Sequence, residues 1–468
     1  MEAVLAAYPE TCVLFALAAV VLAAVSLLKV DYFFPPVLYF LVQTLMLGVA
    51  YLKLDPAMTD FRLNTWLVWG GGMVAFIGGS VLTQIVWAAK GGYEMPNQIT
   101  LTREYSWPTH FCASFLAFAY FFIGVIGVIS VAGNFVLFTE HPAYWVSGRS
   151  SPVLKYSDFF TSGAMVVGLF GVASFKSINP VRWVRNASRF MVVFTMILSF
   201  LTFPSRGINM LCIGFLLMLF NYLHGRFTWK TSGVILAFAL AFFIGVAFLK
   251  GQYNDWNSFM AVNKKTKDFT EKVARKLTQL PYLYISNNYW NLDYAFNQPS
   301  DAYEHEWTYG IDAFYGITHL LRMGDGLQDS FGWDTPFNQS VSKRPNLNTI
   351  PFLWDAYKDF GIIGLFFEPF LFGILITWCY RRMASSKTPL FLLFECMFVL
   401  WIFLWSFTTG YKQSMYWAWM TFFVIVCTMS SGKGVLPFKR LSVNVIPKKN
   451  NCDENISGQG EDRNIVVG

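Results

Sequence analysis

Residues 12–28 read Cys12-Val-Leu-Phe-Ala-Leu-Ala-Ala-Val-Val-Leu-Ala-Ala-Val-Ser-Leu-Leu28, an apolar run with one hydroxyl and no charge. In hydrocarbon every backbone N–H and C=O must be satisfied within the segment, so such a run predicts a membrane-spanning helix. Glu2 and Glu10 precede it in place of the basic region and small-residue cleavage site of a secretory signal. The run is therefore expected to be retained as the first span.

Working outward, further apolar stretches fall at 33–52, 66–89, 109–132, 158–175, 189–204, 207–224, 232–250, 355–380, 388–409 and 414–430. With about 20 residues needed per crossing, these predict about eleven spans. The fold class is thus an all-α polytopic integral membrane protein. Composition agrees: of 468 residues, 55% are hydrophobic and 13% charged, with a mean hydropathy of +0.43. The expected division is a bundle at 1–250, a large external loop at 251–349, closing helices at 350–430 and a disordered cytoplasmic tail at 431–468.

Basic residues set the sidedness. Lys176, Arg182, Arg185 and Arg189 mark one short loop as cytoplasmic, as do Arg226 with Lys230, and Arg381 with Arg382 and Lys387. Alternate crossing then puts the N-terminus and the 251–349 stretch outside and the C-terminus in the cytoplasm. The formal net charge of +7 is accounted for by these loops and the tail, so no nucleic-acid partner is expected. The seven cysteines are scattered, mostly within apolar runs, and indicate neither a disulfide framework nor a zinc site. No cofactor and no metal are expected. No internal repeat of the kind that marks many secondary transporters is visible.

Connections as long as 251–349 usually carry function. From Lys264 onward, Phe269, Val273, Leu277 and Leu280 share one arc of a helical wheel, with the lysines and Arg275 elsewhere around it, predicting an amphipathic helix at the membrane interface. It would guide an anionic lipid headgroup or simply anchor the loop. Next, Tyr282 to Tyr294 mixes rings with amides and an acid, and reads as a glycan-facing surface or an interfacial aromatic belt; Tyr289 and Trp290 are its candidate substrate contacts, with Trp307 further on. Glu304, His305, Glu306 and Asp293 are the candidate general bases. Adjacent residues such as Glu304, His305 and Glu306 rarely converge on one metal ion.

Charged residues at span ends complete the set. Arg206 opens a span after a Pro-Ser turn, where a guanidinium can fork onto phosphate or snorkel, and Arg322 and Arg344 lie in the loop. Asp355, Lys358 and Asp359 fall within one helical turn, with spacing that permits pairing or substrate contact. Glu368 and Glu395 sit deeper, and carboxylates inside a membrane are functional candidates by default.

The stretch Asn346-Leu-Asn-Thr349-Ile-Pro-Phe-Leu-Trp-Asp355-Ala-Tyr-Lys-Asp359-Phe360-Gly361-Ile-Ile-Gly364 resembles the C-terminal signature of bacterial oligosaccharide repeat-unit polymerases, the Wzy-type enzymes of O-antigen and capsule assembly. In that family a threonine precedes an aromatic and Asp-Phe-Gly stretch leading into a late helix; Thr349, Asp359, Phe360, Gly361 and Gly364 match. The order of parts is also similar, with Ser205-Arg206 opening a mid-chain helix ahead of the large loop. The resemblance implies a GT-C-like membrane glycosyltransferase in the bacterial inner membrane. Its donor would be an undecaprenyl-diphosphate-linked glycan, with a chain-length regulator and a flippase as pathway partners. It further implies Arg206, Arg322 and Arg344 as diphosphate ligands and Asp355 and Asp359 as substrate contacts. A lipid-linked oligosaccharide flippase, an O-antigen ligase and a membrane acyltransferase are the rival readings.

Overall fold

The computed structural model describes residues 9–28, 30–53, 59–90, 107–139, 158–175, 182–202, 206–225, 269–297, 316–317, 349–386, 389–409 and 414–430. Among them regular structure is entirely helical. The α-helices are α1 Pro9–Leu27, α2 Pro35–Ala50, α3 Leu63–Ala89, α4 Trp107–Ala132, α5 Thr161–Phe175, α6 Arg182–Thr202, α7 Arg206–His224, α8 Phe269–Phe296, α9 Phe352–Ser386, α10 Pro389–Leu404 and α11 Ser414–Ser430. Five of them, α1, α3, α4 with the short 3₁₀ turn after it, α6 and α9, are long and apolar enough to cross a membrane. The shorter apolar helices are α2, α5, α7, α10 and α11. Ten expected spans thus coincide with helices, and the eleventh, 232–250, lies outside the described residues, as does the tail.

Local chemistry sets several of these boundaries. Pro35 and Pro36 open α2, where the missing N–H would be unpaired anyway, and Phe34 ahead of them is extended. Gly133 follows α4 with φ +74, a conformation that costs glycine little.

The most extensive helix pair is α3 with α9. They run parallel, since Ser80 Oγ donates to Gly373 O at 3.3 Å while further along Arg381 donates to Gln84 and Arg382 lies over the Trp87 ring. Their backbones touch: a Cβ built at Gly79 would fall 2.1 Å from Phe370 O, and one at Gly373 would fall 2.2 Å from Phe76 O. Small residues at such crossings let dispersion contacts replace the hydrophobic drive that lipid cannot supply. Beside this pair, Trp405 is enclosed by rings from three helices, stacked on Phe352 at 4.5 Å between centroids and edge-on to Tyr39 and Phe76.

α8 departs from the sequence reading. It begins at Phe269, within the expected amphipathic stretch, and continues without a break to Phe296. Its later half packs into the bundle against α2 and α3. Ser286, Asn287, Asn288, Tyr289, Trp290, Asn291 and Asp293 are all buried, so this segment is neither an open glycan-facing surface nor an interfacial belt. The reason is polar pairing across elements: Asn288, Tyr289, Asn291 and Asp293 find hydrogen-bond partners on segments remote in sequence, which an isolated helical wheel cannot reveal.

Candidate functional site

The polar half of α8 meets four other segments in one buried seam. At its C-terminal end lies the start of α3, whose first residue is preceded by Arg62 with no side-chain cap of its own. Asp293 serves instead: its Oδ1 accepts from Arg62 N at 2.8 Å and from Thr65 Oγ1 at 2.6 Å. Arg62 reciprocates, its Nη1 donating to Asn297 O at 3.2 Å just past the end of α8. A carboxylate at a helix N-terminus satisfies orphan donors and opposes the positive end of the dipole. Asp293, a candidate general base by sequence, is here engaged as a cap supplied across elements.

One turn earlier on α8, Tyr289 is enclosed. Its hydroxyl donates to Gln43 Oε1 at 3.0 Å and lies 3.2 Å from Ser406 Oγ, while Gln43 Nε2 donates to Ser406 Oγ at 3.2 Å. Burial pushes the Tyr289 phenol up, so it acts as a neutral donor. Trp290 is buried against Val49 and Leu52. Both rings hold α8 to α2, and neither presents a face to a sugar.

The segment leading into α9 is gripped from two sides. Thr349 Oγ1 donates to Asn288 Oδ1, and Asn291 Nδ2 donates to the Thr349 carbonyl at 2.9 Å. From the other side Phe352 N donates to Trp405 O at 3.0 Å, and Thr409 Oγ1 donates to the Asp355 carboxylate. Thr349 and Asp355, separated in sequence from α8 and from the 405–409 turn, are thereby fixed between them.

α9 is then interrupted where the sequence reads Asp359-Phe360-Gly361. Phe360 leaves helical geometry at φ −139, ψ 21, and Gly361 takes φ +62, ψ −143, a region open essentially only to glycine. Beyond the break, a Cβ on Gly364 would fall 1.9 Å from Ala356 O. In a straight helix eight residues separate those positions by about 12 Å. α9 is therefore two helices, α9a at 352–359 and α9b at 362–386, meeting at a sharp bend with glycine required at both Gly361 and Gly364. Asp359 closes α9a with 0% exposure. On the opposite side of the bend Ile362 and Ile363 are 70% and 73% exposed, followed by Phe366 and Phe367. A buried carboxylate and an exposed apolar ridge thus flank one backbone break, with Lys358 half-buried beside them.

Among the remaining candidates, Arg206 is the first residue of α7, as the sequence indicates, though its side chain is outside the description. His305, Glu304, Glu306, Trp307, Arg322 and Arg344 lie outside the described residues. The seam adds residues that sequence reasoning passed over, Gln43, Arg62, Thr65, Ser406 and Thr409, and gives Asn288 and Asn291 of the Tyr282–Tyr294 stretch a packing role. Gln43-Thr44 inside the otherwise apolar α2 and the Asn287-Asn288 pair were the available signals. No group of three or more His, Cys, Asp or Glu side chains able to hold a metal ion occurs among the described residues.

Comparison with protein-family models, curated proteins and solved structures finds no match to this chain. Its described residues are all-helical, with five helices long and apolar enough to cross a membrane.

Proposed function

We propose that this chain is a membrane glycosyltransferase that polymerises undecaprenyl-diphosphate-linked oligosaccharide repeat units into O-antigen, capsular polysaccharide or exopolysaccharide at the periplasmic face of a bacterial inner membrane. The observation that carries this reading is the break in α9 at Asp359-Phe360-Gly361, the part of the chain that resembles the polymerase signature. A broken helix is tolerated at membrane depth where protein or a cavity satisfies the interrupted backbone. Here a lipid-compatible ridge, Ile362, Ile363, Phe366 and Phe367, follows the break, and buried Asp359 and the polar seam that holds Thr349 and Asp355 precede it. A substrate with an isoprenoid tail and a polar head needs those two surfaces side by side.

In this reading the chain crosses the membrane about eleven times in a GT-C-like arrangement. The N-terminus is external and the C-terminus cytoplasmic. The parallel course of α3 and α9 accords with that alternation, in which both helices run inward.

The reaction is an inverting transfer. An acceptor hydroxyl on the incoming repeat unit attacks the anomeric carbon of the donor glycan, the bond to the lipid diphosphate breaks, and a base takes the hydroxyl proton. Arg206, Arg322 and Arg344 are assigned to neutralise the departing diphosphate, by forked hydrogen bonds that strengthen as charge develops. With Asp293 committed to capping α3, the base is assigned among His305, Glu304 and Glu306. A chain-length regulator and a flippase would act as partners in the same pathway.

Purified protein supplied with undecaprenyl-diphosphate-linked repeat units should extend them into a ladder on a gel. Gly361→Ala, Arg206→Ala and Arg322→Ala should each shorten or abolish it. Absence of a ladder from folded protein with its cognate lipid, alongside lipid movement across proteoliposomes, would replace this reading with a flippase. Transfer only to a lipid A-core acceptor would replace it with a ligase.

A further inference from the structure

A second buried polar cluster lies at the opposite end of α9, the end that carries Arg381 and Arg382. Asp31, in the turn between α1 and α2, accepts from Phe33 N at 3.1 Å on Oδ1 and from Tyr380 Oη at 2.9 Å on Oδ2. Glu395 on α10 has 0% exposure. Among the described residues neither of its carboxylate oxygens has a hydrogen-bond partner, and neither does the hydroxyl of buried Tyr222 on α7.

These groups sit in one core: Phe33 beside Asp31 packs on the Tyr222 ring at 6.1 Å between centroids, Phe34 packs on Tyr380 at 5.5 Å, and Tyr222, Cys379, Tyr380 and Cys396 belong to one buried cluster. Asp31 acts electrostatically on Glu395, and Glu395 and Asp31 both act on Tyr222. The other titratable groups facing it are Tyr380 and Cys379 from α9 and Cys396 from α10 itself. α2 and α11, which also pack on α10, carry no charged residue. A neighbouring cation among the described residues, Arg381, donates to Gln84 on α3. Neither carboxylate forms an ion pair with the described residues.

An uncompensated pair of carboxylates is not sustainable in such a place. Burying one ionised carboxylate without a partner already costs several kcal/mol, and a second within electrostatic reach adds repulsion. Three unpartnered oxygens, two on Glu395 and one on Tyr222, stand ready to ligate whatever supplies the missing positive charge. Hard oxygen donors without nitrogen or a cluster of thiolates select a hard ion over a transition metal.

We propose that Asp31, Tyr222, Tyr380 and Glu395 form a monovalent-cation site, filled by a proton or a sodium ion, which joins the α1–α2 turn, α7, α9 and α10. Release of the ion would leave two buried carboxylates uncompensated and loosen the contact between the α1–α2 turn and α10. The site thereby makes the packing of this end of the bundle depend on ion occupancy.

The test uses full-length protein in lipid nanodiscs without substrate, so it stands or fails separately from the polymerase proposal. The unfolding midpoint is followed in sodium chloride against choline chloride at fixed ionic strength, and separately across pH about 6 to 9, for wild type, Glu395→Gln and Asp31→Asn. A sodium site gives wild type up to tenfold more folded population per tenfold rise in sodium above its dissociation constant. A proton site gives up to tenfold less per pH unit as pH rises, together with an infrared band of a protonated carboxyl that Glu395→Gln removes. In either case Glu395→Gln, which supplies a neutral amide of the same shape, flattens the dependence. Asp31→Asn carries the same comparison should Glu395→Gln not fold. Wild type insensitive to both ions, or variants that retain the wild-type dependence on both, would overturn the proposal.

Discussion

Gly361→Ala isolates the break in α9. At φ +62, ψ −143 an alanine must either accept the strained conformation or abandon it. The first course costs about 1–3 kcal/mol, a factor of about 5–150 in the equilibrium between the bent helix and competing forms. The second restores helical geometry between α9a and α9b, moving Ala356 and Gly364 from contact towards the roughly 12 Å of a straight helix. It would pull Asp359 from its enclosure or detach Asp355 from Thr409. Gly70→Ala is the matched control, because a Cβ there meets nothing within 4 Å in a continuous helix; it should be neutral or stabilising by about 0.5–1 kcal/mol. Both variants, purified in the same detergent, are compared by thermal unfolding followed by circular dichroism, and by the elongation gel. Gly361→Ala should unfold earlier and lose the ladder while Gly70→Ala keeps both. Equal midpoints and equal ladders for the two variants would refute the claim that a glycine-only bend organises this site.

Four further outcomes follow from the packing. Tyr289→Phe keeps the buried ring but leaves Gln43 Oε1 without its donor, and should cost about 1–3 kcal/mol; an unchanged unfolding midpoint would remove the Gln43–Tyr289–Ser406 set from the stability account. Asp293→Ala removes the cap of α3 and should cost about 0.5–2 kcal/mol, with hydrogen exchange rising first at residues 62–66; if exchange rises elsewhere instead, Asp293 has another role. Gly79→Ala and Gly373→Ala each drive a methyl into the facing backbone, so either should separate α3 from α9, read as slower disulfide trapping of cysteine pairs placed across the α3–α9 contact; an unchanged trapping rate would refute the close approach. Thr349→Val leaves Asn288 without its donor and should lower elongation more than stability; a stability loss with normal elongation per folded molecule would make Thr349 a scaffold residue.

The sequence by itself determined the helical, membrane-embedded character of this protein and the position of ten of its helices. Length and apolarity are sufficient there, because hydrocarbon forces each segment to satisfy its own backbone. It also singled out Thr349 and Asp359-Phe360-Gly361, through their resemblance to a signature in which a threonine precedes Asp-Phe-Gly. The tertiary structure alone decided what those residues do. That Gly361 breaks α9 depends on the approach of Gly364 to Ala356. That Asp293 caps α3 and Tyr289 bonds Gln43 depends on α8 entering the bundle, which its polar sequence argues against. Hydrogen-bond partners supplied from 228 residues away, as Thr65 is to Asp293, leave no local pattern. A buried polar residue reads in sequence as an exposed one until the group that satisfies it is brought alongside.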